Sequence, residues 1–265
     1  MNTSPPERHQ MFATSLANGL LILKSFKVGE PALNNREFVE RTGLSKATVS
    51  RLTYTLGELG FLKYDAEQRR YRLGSTTLSI GYPLMASLTI RQVARPFMKA
   101  LADHARGSVS LGMRDRSNAV YIETVRGHEA IAFRPDIGGS MPLLATAIGR
   151  AWLAGIGEEQ RHQVLKHIQA EHPDAWKKHR RAVQASLRNY EATGFCISRG
   201  DWQQDIHAVA VPMQLVVDGE TLVFNCGVPA VLLSQSTLEA DLGPRLLRMV
   251  RDVERAYLAQ QGSVN

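Results

Sequence analysis

Cysteine is nearly absent from this chain. Its 265 residues hold two, Cys196 and Cys226, far apart and in no CxxC pair. That excludes a disulfide framework and points to a reducing, cytoplasmic setting. Long apolar runs are missing too. The most apolar stretch, AVAVPMQLVV, is interrupted by Pro212 and Gln214 and is too short to span a membrane. The opening MNTSPPERHQ contains no apolar core, so no secretory leader is expected. The sequence also lacks a GxSxG elbow, a Walker loop and a GxGxxG fingerprint. His162, His167 and His172 recur every five residues and so do not share a helix face at the metal-binding i, i+4 spacing. No catalytic residue, metal or cofactor is expected from these absences. Glu158 and Glu159 read as first-turn charge on a helix, KKHRR at 177–181 as a solvated face, and the two cysteines as buried packing groups.

What is present is ordinary soluble composition, 44% hydrophobic and 22% charged, with a net charge of +7. The surplus is uneven. Residues 1–88 hold 11 Lys+Arg against 7 Asp+Glu, and residues 89–265 hold 21 against 18. More than half the excess sits in the first third, which permits a nucleic-acid partner there.

That first third has a helical grammar. Residues 1–11 read as a disordered tail. From Ser15, a stripe of Leu16, Leu20, Leu23 and Phe26 predicts an amphipathic helix. Asn34 with Glu37 three residues on is a capping box for a second, short helix, and Gly43 supplies its left-handed exit. Ser45 then caps a third helix whose Val49, Leu52, Leu56 and Leu59 are expected to face a core. Two helices joined by a tight turn containing Gly form the helix-turn-helix pattern. The following FLKY and RYRL, joined by the polar DAEQR, predict a hairpin and hence a winged variant. In such a motif the second helix of the pair presents its N-terminal residues to the major groove. Those residues are Lys46, Thr48 and Arg51, with chemistry suited to base edges. The Ser45 end of the helix favours a phosphate, and Arg69 and Arg70 at the wing tip are placed to hold the DNA backbone.

The remainder reads as α+β. A kinked connecting helix is expected over 75–88, with Gly81 and Pro83 inside it, then an amphipathic helix carrying Ile90, Val93, Phe97 and Leu101, in which Pro96 predicts a kink or a late start. SVSLGMR, NAVYIETV and AIAFRP predict three strands, followed by the glycine-rich loop DIGGSM and a helix at ATAIGRAWLAG. Two more helices lead to strands FCIS and IHAVAVPMQLVV. Asp218-Gly219 is a hairpin turn signal, and a helix from about Ser236 to Gln261 closes the chain.

Several stretches resemble the IclR (isocitrate lyase regulator) family of bacterial transcription factors. SLANGLLILKSF, GLSKATVSRLTYTLGELGFL and YRLG resemble its DNA-binding module. IRQVARPFMKALA, MPLLATAIGRAWLA, AVAVPM and FNCGVP resemble segments of its second domain. Their order over about 15–255 carries the resemblance. It implies a winged helix-turn-helix domain at 12–74, a linker helix at 75–88 and a GAF-like α/β effector-binding domain at 89–265. It implies a homodimer or homotetramer on double-stranded operator DNA, with Asn34 and Gly43 as further DNA-side positions. It also implies a small-molecule pocket lined by Phe133, Met141, Ala147 and Ile148 from the loop side, and by Ser198, Ile206, Ala208, Asn225 and Gly227 from the sheet. Relatives carry an acidic run where this chain has SRGDWQQDIHAVAV, which brings Asp201 and Trp202 into consideration as pocket residues. The expected function is a sequence-specific regulator whose operator affinity responds to an organic acid or aromatic effector. The alternative is a DNA-binding module fused to a small catalytic domain.

Overall fold

The computed structural model describes residues 12–27, 29–127, 136–234 and 237–262. The tail at 1–11, the strand expected at AIAFRP and Phe133 lie outside the described residues. The chain folds as two compact units, Met1–Ser87 and Leu88–Asn265.

The first unit opens with α1 (Thr14–Lys24), α2 (Asn35–Thr42) and α3 (Lys46–Glu58). A two-stranded antiparallel hairpin follows, β1 (Leu62–Asp65) and β2 (Arg70–Leu73), and then α4 (Ser75–Ser87). Its core is small. Ile22, Leu33, Phe38, Val49 and Leu62 are each at most 3% exposed. Phe38 is the hub: its ring meets Phe26 edge-on at 5.6 Å and Tyr71 at 6.0 Å, tying α1 and the wing to α2. Leu33 and Tyr71 exchange two backbone hydrogen bonds, of 2.9 and 2.7 Å, so the wing is also anchored through its main chain.

The predicted stripes are only partly buried. Val49 and Leu56 are in the core as expected, but Leu16, Leu20 and Leu59 are 65%, 50% and 59% exposed. Leu23 and Phe26 of that stripe pack against the core partly buried, whereas the fully buried α1 side chain, Ile22, lies beside the stripe. Three short helices and a hairpin enclose too little volume to cover every apolar side chain they carry. α4 buries none of its residues.

The second unit starts with α5 (Ile90–Ala105), which begins ahead of Pro96 and so has no late start. Its strands are β3 (Ser108–Asp115), β4 (Asn118–Arg126), β5 (Ser140–Pro142), β6 (Cys196–Arg199), β7 (Ile206–Val217) and β8 (Glu220–Pro229). They form one antiparallel sheet in the order β5-β4-β3-β8-β7-β6. Between β5 and β6 the chain makes α6 (Ala147–Gly155), α7 (Glu158–Glu171) and α8 (Pro173–Thr193). At the expected hairpin, Asp218 and Gly219 both have positive φ, 51° and 80°, as a type I′ turn requires. The final helix is preceded by a π-turn at Leu238–Leu242, and α9 runs Gly243–Gly262.

Side chains alternate between the faces of the sheet. Leu222, Phe224, Cys226 and Val228 of β8 join Met98, Leu101, Leu246 and Val250 of α5 and α9 on one face. Val223 of β8 and Ala210 of β7 join Ile148, Trp152 and Val183 of α6 and α8 on the other. Helices cover both sides, in an α+β arrangement whose hairpin strands are consecutive in the sheet.

Candidate DNA-reading helix and effector cavity

The turn into α3 is built by local chemistry. Asn34 Oδ1 accepts from the Glu37 amide at 3.0 Å, and Glu37 Oε2 accepts from the Asn34 amide at 2.8 Å, closing the capping box. Gly43 takes φ 70°, where a Cβ would be strained, and its amide donates to Val39 O at 2.9 Å. Ser45 Oγ accepts from the Thr48 amide at 3.2 Å, and the two hydroxyls lie 2.9 Å apart. Asn34, Gly43 and Ser45 are thus accounted for by the geometry of the turn, which fixes how α3 is presented.

Lys46, Ala47, Ser50, Arg51 and Tyr54 are exposed along α3, Tyr54 to 68%. Among the described residues no carboxylate pairs with Lys46, Arg51 or Arg69. Thr48 is half-buried, and with Arg51 it borders an apolar groove against Leu16 and Gly19 of α1. The outermost face of α3 therefore includes Ser50 and Tyr54, which a reading of base-pairing chemistry alone passes over. Their positions, three and seven residues after Ala47, are the signal for that face.

Arg70 stands apart from this set. The sequence places it beside Arg69 at the wing tip, but its Nη2 donates to Glu37 Oε1 and Oε2 at 2.7 and 2.6 Å. Glu37 thereby serves the N-terminus of α2 and the wing together.

In the second unit, the cavity follows from strand register. Ser108, Gly227, Ala208 and Ser198 are successive cross-strand partners on β3, β8, β7 and β6. Ser110, Asn225, Ala210 and Cys196 form the next row. Two rows of mostly small side chains leave a hollow beneath α6. The start of α6 is held over it: Thr146 Oγ1 accepts from the Gly149 amide at 3.2 Å and donates to Pro142 O at 2.8 Å. Gly149 is obligatory, because a Cβ there would lie 2.2 Å from Leu143 Cα.

The hollow is small and partly open to solvent, with about 40 Å³ available to the centre of a water molecule. Met141, Ala147 and Ile148 line it from the loop and α6, and Ser198, Ile206 and Ala208 from β6 and β7. Asn225 and Gly227 line it from β8, and Trp202 from the β6–β7 loop. Ser108, Tyr121, Thr146 and Gln203 also line it, and sequence reasoning missed them. The cross-strand pairing that brings Ser108 opposite Gly227 leaves no mark in a single strand's pattern.

Asp201 does not line the hollow. Its Oδ2 accepts from Arg150 Nη1 at 2.6 Å and from Ser198 Oγ at 3.2 Å. Arg150 is only 2% exposed and its Nε donates to Leu144 O at 2.9 Å, so Asp201 supplies the counter-charge that this buried cation requires. The ion pair fastens the β6–β7 loop, which carries Trp202 and Gln203, to α6. Burial pushes the Tyr121 phenol up to about 12, against hydrogen bonds from Asn225 and Ser110.

On the opposite face, Glu123 of β4 is 3% exposed. Arg91 and Arg95 of α5 bind its two carboxylate oxygens at 3.1 and 3.2 Å.

The family model for the IclR helix-turn-helix domain matches residues 15–66, and that for the bacterial transcriptional regulator IclR C-terminal domain matches 83–254. The chain belongs to the IclR family. An IclR-family chain of this kind is a DNA-binding transcriptional regulator. Its relatives include the HTH-type transcriptional regulator TsaQ1/TsaQ2 of Comamonas testosteroni, 35% identical over 91% of this chain and 87% of that one. HTH-type transcriptional regulator XynR of Escherichia coli is 30% identical over 75% and 79%. Among solved structures, an IclR family transcriptional regulator from Brucella abortus is 40% identical with a TM-score of 0.80, covering 96% of each chain. An IclR homolog from Microbacterium hydrocarbonoxydans, solved with 4-hydroxybenzoate, shares the fold at a TM-score of 0.70 and 21% identity, over 92% of this chain and 99% of that one.

Proposed function

We propose that this IclR-family regulator reads a pseudo-palindromic operator with paired α3 helices, and that a small organic acid or aromatic in the cavity under α6 sets its operator affinity. The observation that carries the first part is the exposed, carboxylate-free face of α3 with Lys46 and Arg51. Lys46, Thr48 and Arg51 serve as base readers, with Ser50 and Tyr54 beside them, and Arg69 holds a phosphate. Asn34, Gly43 and Ser45 act by fixing the turn. The effector reading rests on the hollow over Gly227 and Ala208, together with the 4-hydroxybenzoate held by the Microbacterium homolog. With room for about three waters, the hollow admits a ring only when the Trp202–Gln203 loop moves outward. Such a ligand favours one arrangement of the protein by its differential affinity and no more.

A homodimer is supported by the apolar surface that the first unit leaves uncovered. Leu16, Leu20 and Leu59 are exposed around the α1–α3 groove, and Leu78, Ile80 and Tyr82 of α4 are 64–72% exposed. Two-fold pairing through this surface supplies the two recognition helices that a palindromic site needs. Inside each protomer, the Glu123 ion pairs give a route from the cavity to the start of α5, because Tyr121 and Glu123 lie on the same strand.

The test is a competition titration of operator against random duplex at fixed salt, with and without compounds that raise the melting temperature. A large preference for operator that changes with such a compound is the expected result. Equal affinity for both duplexes refutes sequence-specific reading, and turnover of a bound compound supports the catalytic alternative.

A further inference from the structure

Asn225, on the cavity floor, is not explained by the fold. It sits in the middle of the sheet, between Ser110 and Ala210, and is 7% exposed. Its Oδ1 is buried and has no hydrogen-bond partner among the described residues. A buried acceptor without a donor is a standing cost, which an apolar side chain of the same size would avoid. The amide is held on its other side, where Tyr121 and Ser110 lie against one another and Ser110 Oγ is 3.0 Å from Thr124 Oγ1. That network occupies neighbouring polar groups and leaves Oδ1 over. Beside it, Gly227 and Ala208 raise almost nothing above the sheet, and Ile148 faces them from α6. The result is a slot floored by small side chains with the unpaired Asn225 Oδ1 facing it.

From this geometry we infer that Asn225 determines effector specificity: the cavity selects a flat aromatic molecule bearing a hydrogen-bond donor, a phenol or aryl amine, whose O–H or N–H satisfies Asn225 Oδ1. The inference rests on the effector reading above and narrows it. A ligand of the same shape without the donor leaves the acceptor as it was. It also gives up any water that reached the amide in the empty cavity, so it is rejected rather than merely not favoured.

The test is calorimetric titration of the full-length protein with 4-hydroxybenzoate, 4-aminobenzoate, 4-methoxybenzoate and benzoate. The wild type is expected to bind the two donors roughly 10- to 100-fold more tightly than the other two. Asn225→Leu should bind all four within about threefold of one another, from the loss of that one hydrogen bond. Gly227→Val is the cavity control. A Cβ at Gly227 meets nothing nearer than 3.8 Å, and the added methyls are directed to fill the slot; a melting temperature and circular dichroism spectrum matching the wild type establish that the variant is folded before its binding is read. Equal wild-type affinities for the hydroxy and methoxy compounds, both abolished by Gly227→Val, would overturn the donor rule and leave the effector reading standing. Binding that survives Gly227→Val would overturn both. Failure of all four to bind at millimolar concentration would overturn the aromatic-donor assignment, while the wider compound screen continues to test the effector reading.

Discussion

Arg70, paired with Glu37, is expected to act as a structural cation, and its neighbour Arg69 to act as a DNA contact. Its Nη2 lies 2.7 and 2.6 Å from the two oxygens of Glu37, whose side chain is 29% exposed against 36% for Arg70. At such separations an effective dielectric near 20 gives a Coulomb attraction of about 6 kcal/mol. With both groups about one-third exposed, screening and side-chain entropy reduce the net value to about 1 kcal/mol. Glu37 also accepts from the Asn34 amide, a cap that contributes about another 1 kcal/mol. Arg70→Ala should therefore open α2 and the wing about fivefold more often, and Glu37→Ala about thirtyfold, from these summed energies. A double-mutant cycle should return a coupling of about 1 kcal/mol. Hydrogen exchange of the amides in 35–42 and 70–73 is the assay, because it reports local opening in a chain of two units. In parallel, the slope of log affinity for DNA against log salt should stay unchanged in Arg70→Ala and fall by about 1 in Arg69→Ala. Unchanged exchange together with a lowered slope in Arg70→Ala would refute the reasoning and return Arg70 to the phosphate backbone.

Three further outcomes follow from other parts of the chain. Glu123→Gln keeps the volume but removes the charge that two arginines share, and should cost about 2 kcal/mol, the outward-facing Arg95 contributing least; it should also weaken the effect of any effector on DNA affinity while its binding constant stays the same. Leu20→Glu should shift the sedimenting species toward the monomer, and an unchanged mass would remove α1 from the subunit interface. Burial pushes the Cys196 and Cys226 thiols up to about 12, so neither should alkylate at pH 8 in the native protein and both should once it is unfolded. Because the folded values lie above the unfolded ones, these thiols contribute stability that is complete below about pH 9 and is lost as the pH rises towards 12. Melting temperatures across that window check the sign.

Much of the fold was legible because its signals are local. The Asn34–Glu37 box, the Gly43 exit, the Ser45 cap and the Asp218-Gly219 turn each depend on a few neighbouring residues, and each forms as its chemistry dictates. The errors arise where burial is decided by distant parts. Leu16, Leu20 and Leu59 carry correct helical periodicity, yet periodicity records which face is apolar and not whether anything in the same chain covers it. Arg70 looked like a wing-tip cation because its partner Glu37 lies 33 residues earlier. The cavity shows the same division. Ala208, Asn225 and Gly227 were placed by resemblance, whereas Ser108 and Tyr121 enter it only through strand register and through a β-bulge between Leu111 and Gly112. The sequence marks Asp201 as unusual for its position, and the structure shows it as the counter-charge of Arg150.

The most direct test of the central claim is selection of bound duplexes from a randomised pool, performed in parallel with the wild type and with Arg51→Ala. The wild type should enrich a two-fold symmetric sequence. Arg51→Ala should enrich a site degenerate at one position in each half, with about 1–3 kcal/mol lost on the original site and little on random DNA. Enrichment of the same sequence by both proteins, or of none by the wild type, would contradict base reading by α3.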